Sequence, residues 1–289
     1  MPEPRHSPAV RAALWMLGAV VSLSTMAISG RELSAELNTF QILFFRSLVG
    51  LAVISALLQR AGWHQVKTRI FGVHVLRNVS HYAGQFGWFF ALGVIPLSEV
   101  FAIEFTTPIW TAILATLLLG ERMSRMRVAA VAAGFLGILV ILRPGLAVVS
   151  IGALAVLGAA IAYAFSYVMT KKLSGTETPL SILFYMTAIQ LPLGLAAASF
   201  DWVWPSSWAW PWLAVVAVTA LSAHYCIARA FRLADATVVV PLDFVRLPLI
   251  AVLGWLLYAE PINAWVFTGA ALVFAGVWLN VRSAQAARR

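Results

Sequence analysis

The sequence predicts an all-α integral membrane protein, with ten transmembrane helices arranged as two inverted five-helix repeats. Three observations lead there. The chain has 289 residues, 62% of them hydrophobic and only 11% charged, about half the charged fraction of an ordinary soluble domain. Its lysines and arginines alternate from one loop to the next. One unusual stretch also occurs twice, from Pro96 to Glu121 and from Asp235 to Glu260. Both copies are long and apolar, and each holds an acid, Glu104 or Asp243, that falls 17 residues before a closing glutamate.

The apolar residues come in runs. Residues 12–30, 144–170, 178–200, 202–228 and 261–281 contain no Asp, Glu, Lys or Arg. Crossing a bilayer as a helix takes roughly 20 such residues, because no water is there to satisfy the backbone. A membrane β-barrel would show short alternating segments instead. Spans are expected at about 10–29, 38–58, 72–93, 97–119, 127–142, 150–170, 179–199, 209–231, 236–257 and 263–281. The fifth is the shortest, since only 15 residues separate Arg127 from Arg143. No small-residue cleavage site follows the first run, so span one is expected to be retained. The single cysteine, Cys226, lies in an apolar run and reads as a small packed hydrophobe.

Cytoplasmic loops carry the excess of Lys and Arg. With both termini in the cytoplasm, the inner segments and adjoining span ends hold fifteen basic residues, among them Arg11, Arg60, Arg125, Lys171, Lys172 and Arg282. The outer ones hold two, Arg31 and Arg143. This division predicts a bacterial-type inner membrane protein and argues against nucleic acid as the partner of a +9 chain, because the charges cap helices and form no single patch. Trp202, Trp204, Trp208, Trp210 and Trp212 crowd one outer loop, where an interfacial indole belt is the expected role.

The duplication runs through the chain at an offset of 139 or 140. Leu17-Gly18-Ala19 recurs as Leu157-Gly158-Ala159, and Ile42-Leu43-Phe44-Phe45-Arg46-Ser47 as Ile182-Leu183-Phe184-Tyr185-Met186-Thr187. Residues 1–143 and 144–289 are the expected repeats. Five spans per repeat is odd, so the second enters the membrane from the opposite side. Inverted repeats of this kind are a common plan of secondary transporters. The pattern Pro108, Gly120-Glu121, Gly137 in the first half, with Pro248, Glu260, Gly269 and Gly276 in the second, resembles the EamA-type transporters of the drug/metabolite transporter superfamily. Ala130 departs from that pattern where the second half has Gly269. The resemblance implies a carrier of small metabolites and leaves the substrate open.

Polar residues inside spans are costly, so they face protein or water and mark function. Asn78, His81, Gln85 and Trp88 follow i, i+3, i+7, i+10 on one face of span three, with Tyr82 beside them. They are read as lining a cavity, with Tyr163 and Tyr167 of span six as an aromatic wall or as packing. Glu104 is either tied to an arginine or takes part in substrate or proton handling. Pro108, four residues on, can kink the helix and free a carbonyl. Asp243 and Arg246, three apart, read first as a local ion pair. With Glu104, Pro108 and Pro248 they are candidates for coupling or gating. Arg46 has Met186 at its repeat-equivalent position, so it needs a specific partner: Glu99, Glu104 or a substrate carboxylate, which its fork would hold by two hydrogen bonds. His224-Tyr225 echoes His81-Tyr82 out of register. Glu121 and Glu260 read as interfacial and structural, and Gly134, Gly137, Gly269 and Gly276 as close-packing positions.

No G-x-x-x-x-G-K-[ST] loop, H-E-x-x-H, paired cysteines or G-x-S-x-G elbow occurs. No cofactor, metal or ATPase subunit is expected; the expected partners are a small-molecule substrate and the lipid bilayer. The aromatic and polar lining, with the resemblance, suggests ATP-independent alternating access and export of amino acids or related compounds. Uptake of a vitamin or nucleoside-like metabolite is the alternative. A passive channel and an intramembrane enzyme are the rivals from other classes.

Overall fold

A computed structural model describes residues 8–120, 125–143, 149–173, 175–233 and 242–286. Glu121 and the residues that open the ninth span therefore lie outside the described residues. Among the described residues 84% are helical and none forms a strand. The helices are α1 (Pro8–Leu33), α2 (Thr39–Ala61), α3 (Phe71–Val94), α4 (Leu97–Glu104), α5 (Thr107–Leu119), α6 (Arg125–Leu142), α7 (Ile151–Leu173), α8 (Pro179–Ala198), α9 (Ala209–Leu233), α10 (Arg246–Tyr258) and α11 (Ala264–Ala286). One 3₁₀ turn, Trp63–Val66, follows α2.

Among the described residues six stretches are long and apolar enough to cross a membrane: Val10–Leu33, Thr39–Ala61, Leu97–Leu118, Ile151–Leu173, Pro179–Ala198 and Ala209–Ile227. Three more are shorter: Val128–Leu142, Arg246–Tyr258 and Ala264–Leu279. α3 is as long as its neighbours but carries His74, Arg77, Asn78, His81 and Gln85, which lower its hydropathy. The exterior is apolar, and a set of polar side chains is buried within an apolar core. Leu14, Leu17, Leu117, Leu136, Leu256 and Leu257 are exposed, whereas Arg46, Arg77, Asn78, His81, Gln85 and Arg246 are buried. An apolar exterior of this kind suits lipid.

The expected fourth span is not one helix. It ends at Glu104, turns at Phe105-Thr106 and restarts at Thr107. The reason is local. The Thr106 hydroxyl donates to Ile103 O at 2.7 Å and the Thr107 hydroxyl to Glu104 O at 2.6 Å. Pro108 has no N–H to offer the Glu104 carbonyl, so the threonine hydroxyls occupy the carbonyls that the broken ladder leaves free. Phe244-Val245 forms the equivalent turn before α10.

Helices pair across the two halves: α1 with α9, α3 with α7, α2 with α8, α6 with α11 and α4 with α10. Exchanging the repeats turns the first pair into the second and leaves the α2–α8 and α6–α11 pairs unchanged, whereas α10 is the copy of α5, not of α4. Repeat-equivalent partners run antiparallel. Gly50 of α2 faces Thr187 of α8, while Phe44 faces Gly194. On α6, Gly137 faces Gly269 and Val273, while Ala130 and Gly134 face Gly276. A Cβ at Gly137 or Gly276 would stand 2.6 Å from a backbone oxygen of the opposing helix, so these glycines are close-packing positions, as the sequence suggests. Cys226 packs in the same manner against Gly18.

The end of the bundle formed by the α1–α2, α3–α4 and α10–α11 connections is held by directional bonds. Glu260 Oε2 accepts from Leu97 N at 2.8 Å, and its Oε1 stands 2.9 Å from Arg31 Nη1, which also donates to Ile95 O at 2.8 Å. Burial pushes the Glu260 carboxyl up, against the Leu97 N–H and Arg31, which draw it down. Glu260 thus fills the structural role expected of it. Tyr258 donates to Glu32, Ser206 to Glu36, and Asn38 to Asp201 O. Of the loop tryptophans, Trp202 and Trp212 pack partly buried against the core, Trp202 on Phe45, while Trp204, Trp208 and Trp210 remain exposed.

Candidate substrate site

The polar face of α3 forms one wall. Gly84 and Gly87 let α7 approach: a Cβ on Gly84 would meet the Tyr163 ring at 2.8 Å, and one on Gly87 the Ala155 carbonyl oxygen at 2.5 Å. Tyr163 is thereby set against His81, with ring centroids 5.4 Å apart. Gln190 of α8 donates from Nε2 to His81 Nδ1 at 3.1 Å and to Asn78 O at 3.3 Å, which places the His81 proton on Nε2. Arg77 donates to Asn78 Oδ1 at 2.6 Å and to Thr170 Oγ1 at 3.1 Å. Neither Gln190 nor Arg77 is among the residues singled out from sequence. The signal for both is the same as for the stripe, a polar side chain within an apolar span.

The helix breaks form the opposite wall. Trp88 does not line this space as expected; its Nε1–H donates to Glu104 Oε2 at 2.8 Å. Arg246 reaches Asp243 Oδ2 at 3.1 Å, the local pair expected from the spacing, and also Glu104 Oε1 at 3.5 Å. Its guanidinium lies 4.7 Å and 5.0 Å from the ring centroids of Phe101 and Phe105. Phe105 and Phe244, one from each break, stack on each other at 4.3 Å with an interplanar angle of 24°. Pro108 and Pro248 sit in the first turns of α5 and α10, just past the two breaks.

Between these walls stand Tyr163 and Tyr167. The charges of Glu104 and Arg246 act on both, as does Arg46 on Tyr163 and Arg77 on Tyr167. Tyr167 is 51% exposed, and the charge of Asp243 reaches it as well. Several buried polar atoms have no hydrogen-bond partner among the described residues: Asn78 Nδ2, Tyr82 OH, Gln85 Oε1 and Asp243 Oδ1. Such groups cost about 1–3 kcal/mol each until something binds them.

Of the partners expected for Arg46, the two acids are not reached. Glu104 is turned towards Trp88 and Arg246, and the charge acting on Glu99 is that of Arg143, so neither acid is its partner. Arg46 is 7% exposed, and its Nε has no partner. It lies in a crevice between α2, α8 and α9 with Ser47, Thr187 and Gln190. Its charge reaches His81, Arg77 and His224. His224, the out-of-register echo, thus joins the same cluster, whereas Tyr225 faces outward onto Trp15 and Arg229.

The model of the EamA-like transporter family matches this chain twice, at residues 10–143 and 150–282. The chain belongs to the EamA-like transporter family. The riboflavin transporter of Vibrio cholerae serotype O1 is 30% identical over 278 residues, covering 94% of this chain and 93% of its own. The S-adenosylmethionine uptake transporter of Rickettsia prowazekii is 28% identical over 246 residues, covering 85% and 84%. The pseudopaline exporter CntI of Pseudomonas aeruginosa is 28% identical over 256 residues, covering 87% and 89%. One crystal structure matches 96% of this EamA-type chain and 99% of its own at TM-score 0.67 and 18% identity, which shows a shared fold. This is a transporter-family, multi-pass membrane protein with helices long enough to span.

Proposed function

We propose that this chain is an ATP-independent carrier that moves a small metabolite by alternating access around the polar centre. The observation that carries the reading is the meeting of two broken helices at Glu104, Asp243 and Arg246, opposite a polar stripe with unsatisfied buried atoms. Broken helices at the interface of two repeats are where transporter sites form. Ten spans in two inverted halves, 1–143 and 144–289, fit the antiparallel packing of α2 on α8 and of α6 on α11. In this reading Asn78, His81, Tyr82, Gln85, Tyr163 and Arg46 contact the substrate. Glu104, with Trp88 fixing its carboxylate, shares coupling with Asp243 and Arg246, and Pro108 and Pro248 mark the hinges. The inner membrane, with both termini cytoplasmic, follows from the charge division among the loops.

The relatives bear on the substrate. Two are named for riboflavin and for S-adenosylmethionine uptake, both ring-bearing metabolites, and one for pseudopaline export. Amino acid export finds no support among them. Uptake of a vitamin-like or nucleoside-like compound is the better-supported reading, and the rings of Tyr82, Tyr163 and Tyr167 suit it. The test is counterflow in proteoliposomes with labelled riboflavin and S-adenosylmethionine and no nucleotide. Accumulation against an internal unlabelled pool is expected. A strict nucleotide requirement, or flux that shows no counterflow, would refute the carrier.

A further inference from the structure

We propose that Arg46 and Arg77 form an anion subsite, and that the carried metabolite bears a carboxylate or phosphate which docks there. The proposal rests on the carrier reading and goes beyond it by fixing one end of the substrate. Its first support is charge. Arg46 makes no hydrogen bond or ion pair with any described residue, and Arg77 is held only by neutral oxygens. Arginines do not shed their charge, and a buried cation without a counter-ion costs several kcal/mol. Glu104 is committed to Trp88 and Arg246, and Glu99 makes no ion pair with either arginine. Nothing among the described residues neutralises this pair.

The second support is the kind of atom left unsatisfied. On this side the open groups are donors, Arg46 Nε and Asn78 Nδ2. On the Glu104 side two acceptors, Gln85 Oε1 and Asp243 Oδ1, stand open beside one donor, Arg246 Nε. Donors gathered around two cations receive an anion, and the guanidinium fork takes a carboxylate or phosphate oxygen pair by charge-assisted hydrogen bonds. The third support is the repeat. Met186 stands where Arg46 would have its copy, so the scaffold has a position at which the same helix packing is kept without the charge.

The test uses purified full-length protein and two matched pairs: S-adenosylmethionine against its decarboxylated form, and FMN against riboflavin. Affinity is read from thermal stabilisation, and counterflow is run in parallel. The wild type is expected to bind the anionic member of at least one pair tenfold or more tightly than its partner. R46M should erase that ratio, while R46K keeps most of it. A ratio for the first pair alone assigns the carboxylate, and for the second alone the phosphate. Equal affinity within both pairs in the wild type, or an unchanged ratio in R46M, overturns the proposal, as does a response only to free phosphate, succinate or phosphatidylglycerol. If R46M does not fold, the wild-type ratios and R46K decide. Riboflavin counterflow without any anion preference would remove the subsite and leave the carrier. Anion-selective binding without counterflow would do the reverse.

Discussion

Arg246 sits between two carboxylates, and this makes the effect of Glu104→Gln depend on whether the arginine is present. In the wild type Glu104 Oε1 is 3.5 Å from Arg246, while Trp88 holds Oε2 at 2.8 Å. A glutamine keeps an oxygen for Trp88 and loses the charge beside Arg246. Hydrogen bonds to charged groups contribute about 1.5–3 kcal/mol. This one is long and Arg246 keeps Asp243 at 3.1 Å, so E104Q should cost about 1–1.5 kcal/mol, at the low end. R246M alone leaves two acids, 20% and 26% exposed, with no cation between them; losing one partner of a buried pair costs about 3–5 kcal/mol. In that background Glu104 is a carboxylate repelled by Asp243, and E104Q should become neutral or stabilising. Unfolding by SDS in mixed micelles, followed by circular dichroism, measures all four corners of the cycle. The same cost for E104Q with and without Arg246 would show that the two residues do not act on each other.

Three further outcomes are expected. Gly120 and Ala259 occupy the same left-handed cap after α5 and α10, at φ 68° and 52°, so A259G should stabilise and G120A destabilise by about 1 kcal/mol each, measured by melting in detergent. G276A places a Cβ 2.6 Å from Ala130 O and should cost about 1–3 kcal/mol by forcing α6 and α11 apart, with a smaller effect for G158A, where a Cβ meets nothing within 4 Å. Tags at residues 1 and 289 should be shielded from added protease in spheroplasts while one at residue 206 is cleaved; cleavage of either terminal tag would contradict the inverted topology.

The repeat and the stripe were legible because both are periodic. An offset of 139 or 140 and a spacing of three and four survive in a bare string of residues. Asn78, His81 and Gln85 do share a buried face, and Asp243 does pair with Arg246. What the sequence does not show is which partner a polar group takes across helices. Trp88 reads as a cavity wall until its indole is seen on Glu104. Gln190 is a lone polar residue until it is found bridging His81 and Asn78. Pro108 signals a distortion, but its position at Phe105-Thr106 depends on two threonine hydroxyls finding carbonyls. The isolation of Arg46 was the least predictable of all, because it is a property of every neighbour at once.

The stacked rings of Phe105 and Phe244 decide where movement is expensive. An offset aromatic stack is held by contact area and has no directional bond to break, so its rings can slide and turn past each other at small cost. At their middle the two halves of the molecule therefore meet through this sliding stack and through one ion pair, Glu104 with Arg246. The end built from Arg31, Glu260 and Leu97 meets through aligned bonds, which yield only by being broken. Glu260 and Leu97 are buried there, so a bond lost without a replacement costs about 1–3 kcal/mol. A rocking motion of this fold would thus slide over the rings and meet its resistance at the rim bonds and at the Glu104–Arg246 pair, and the strength of those few contacts would set the rate at which the two halves exchange positions.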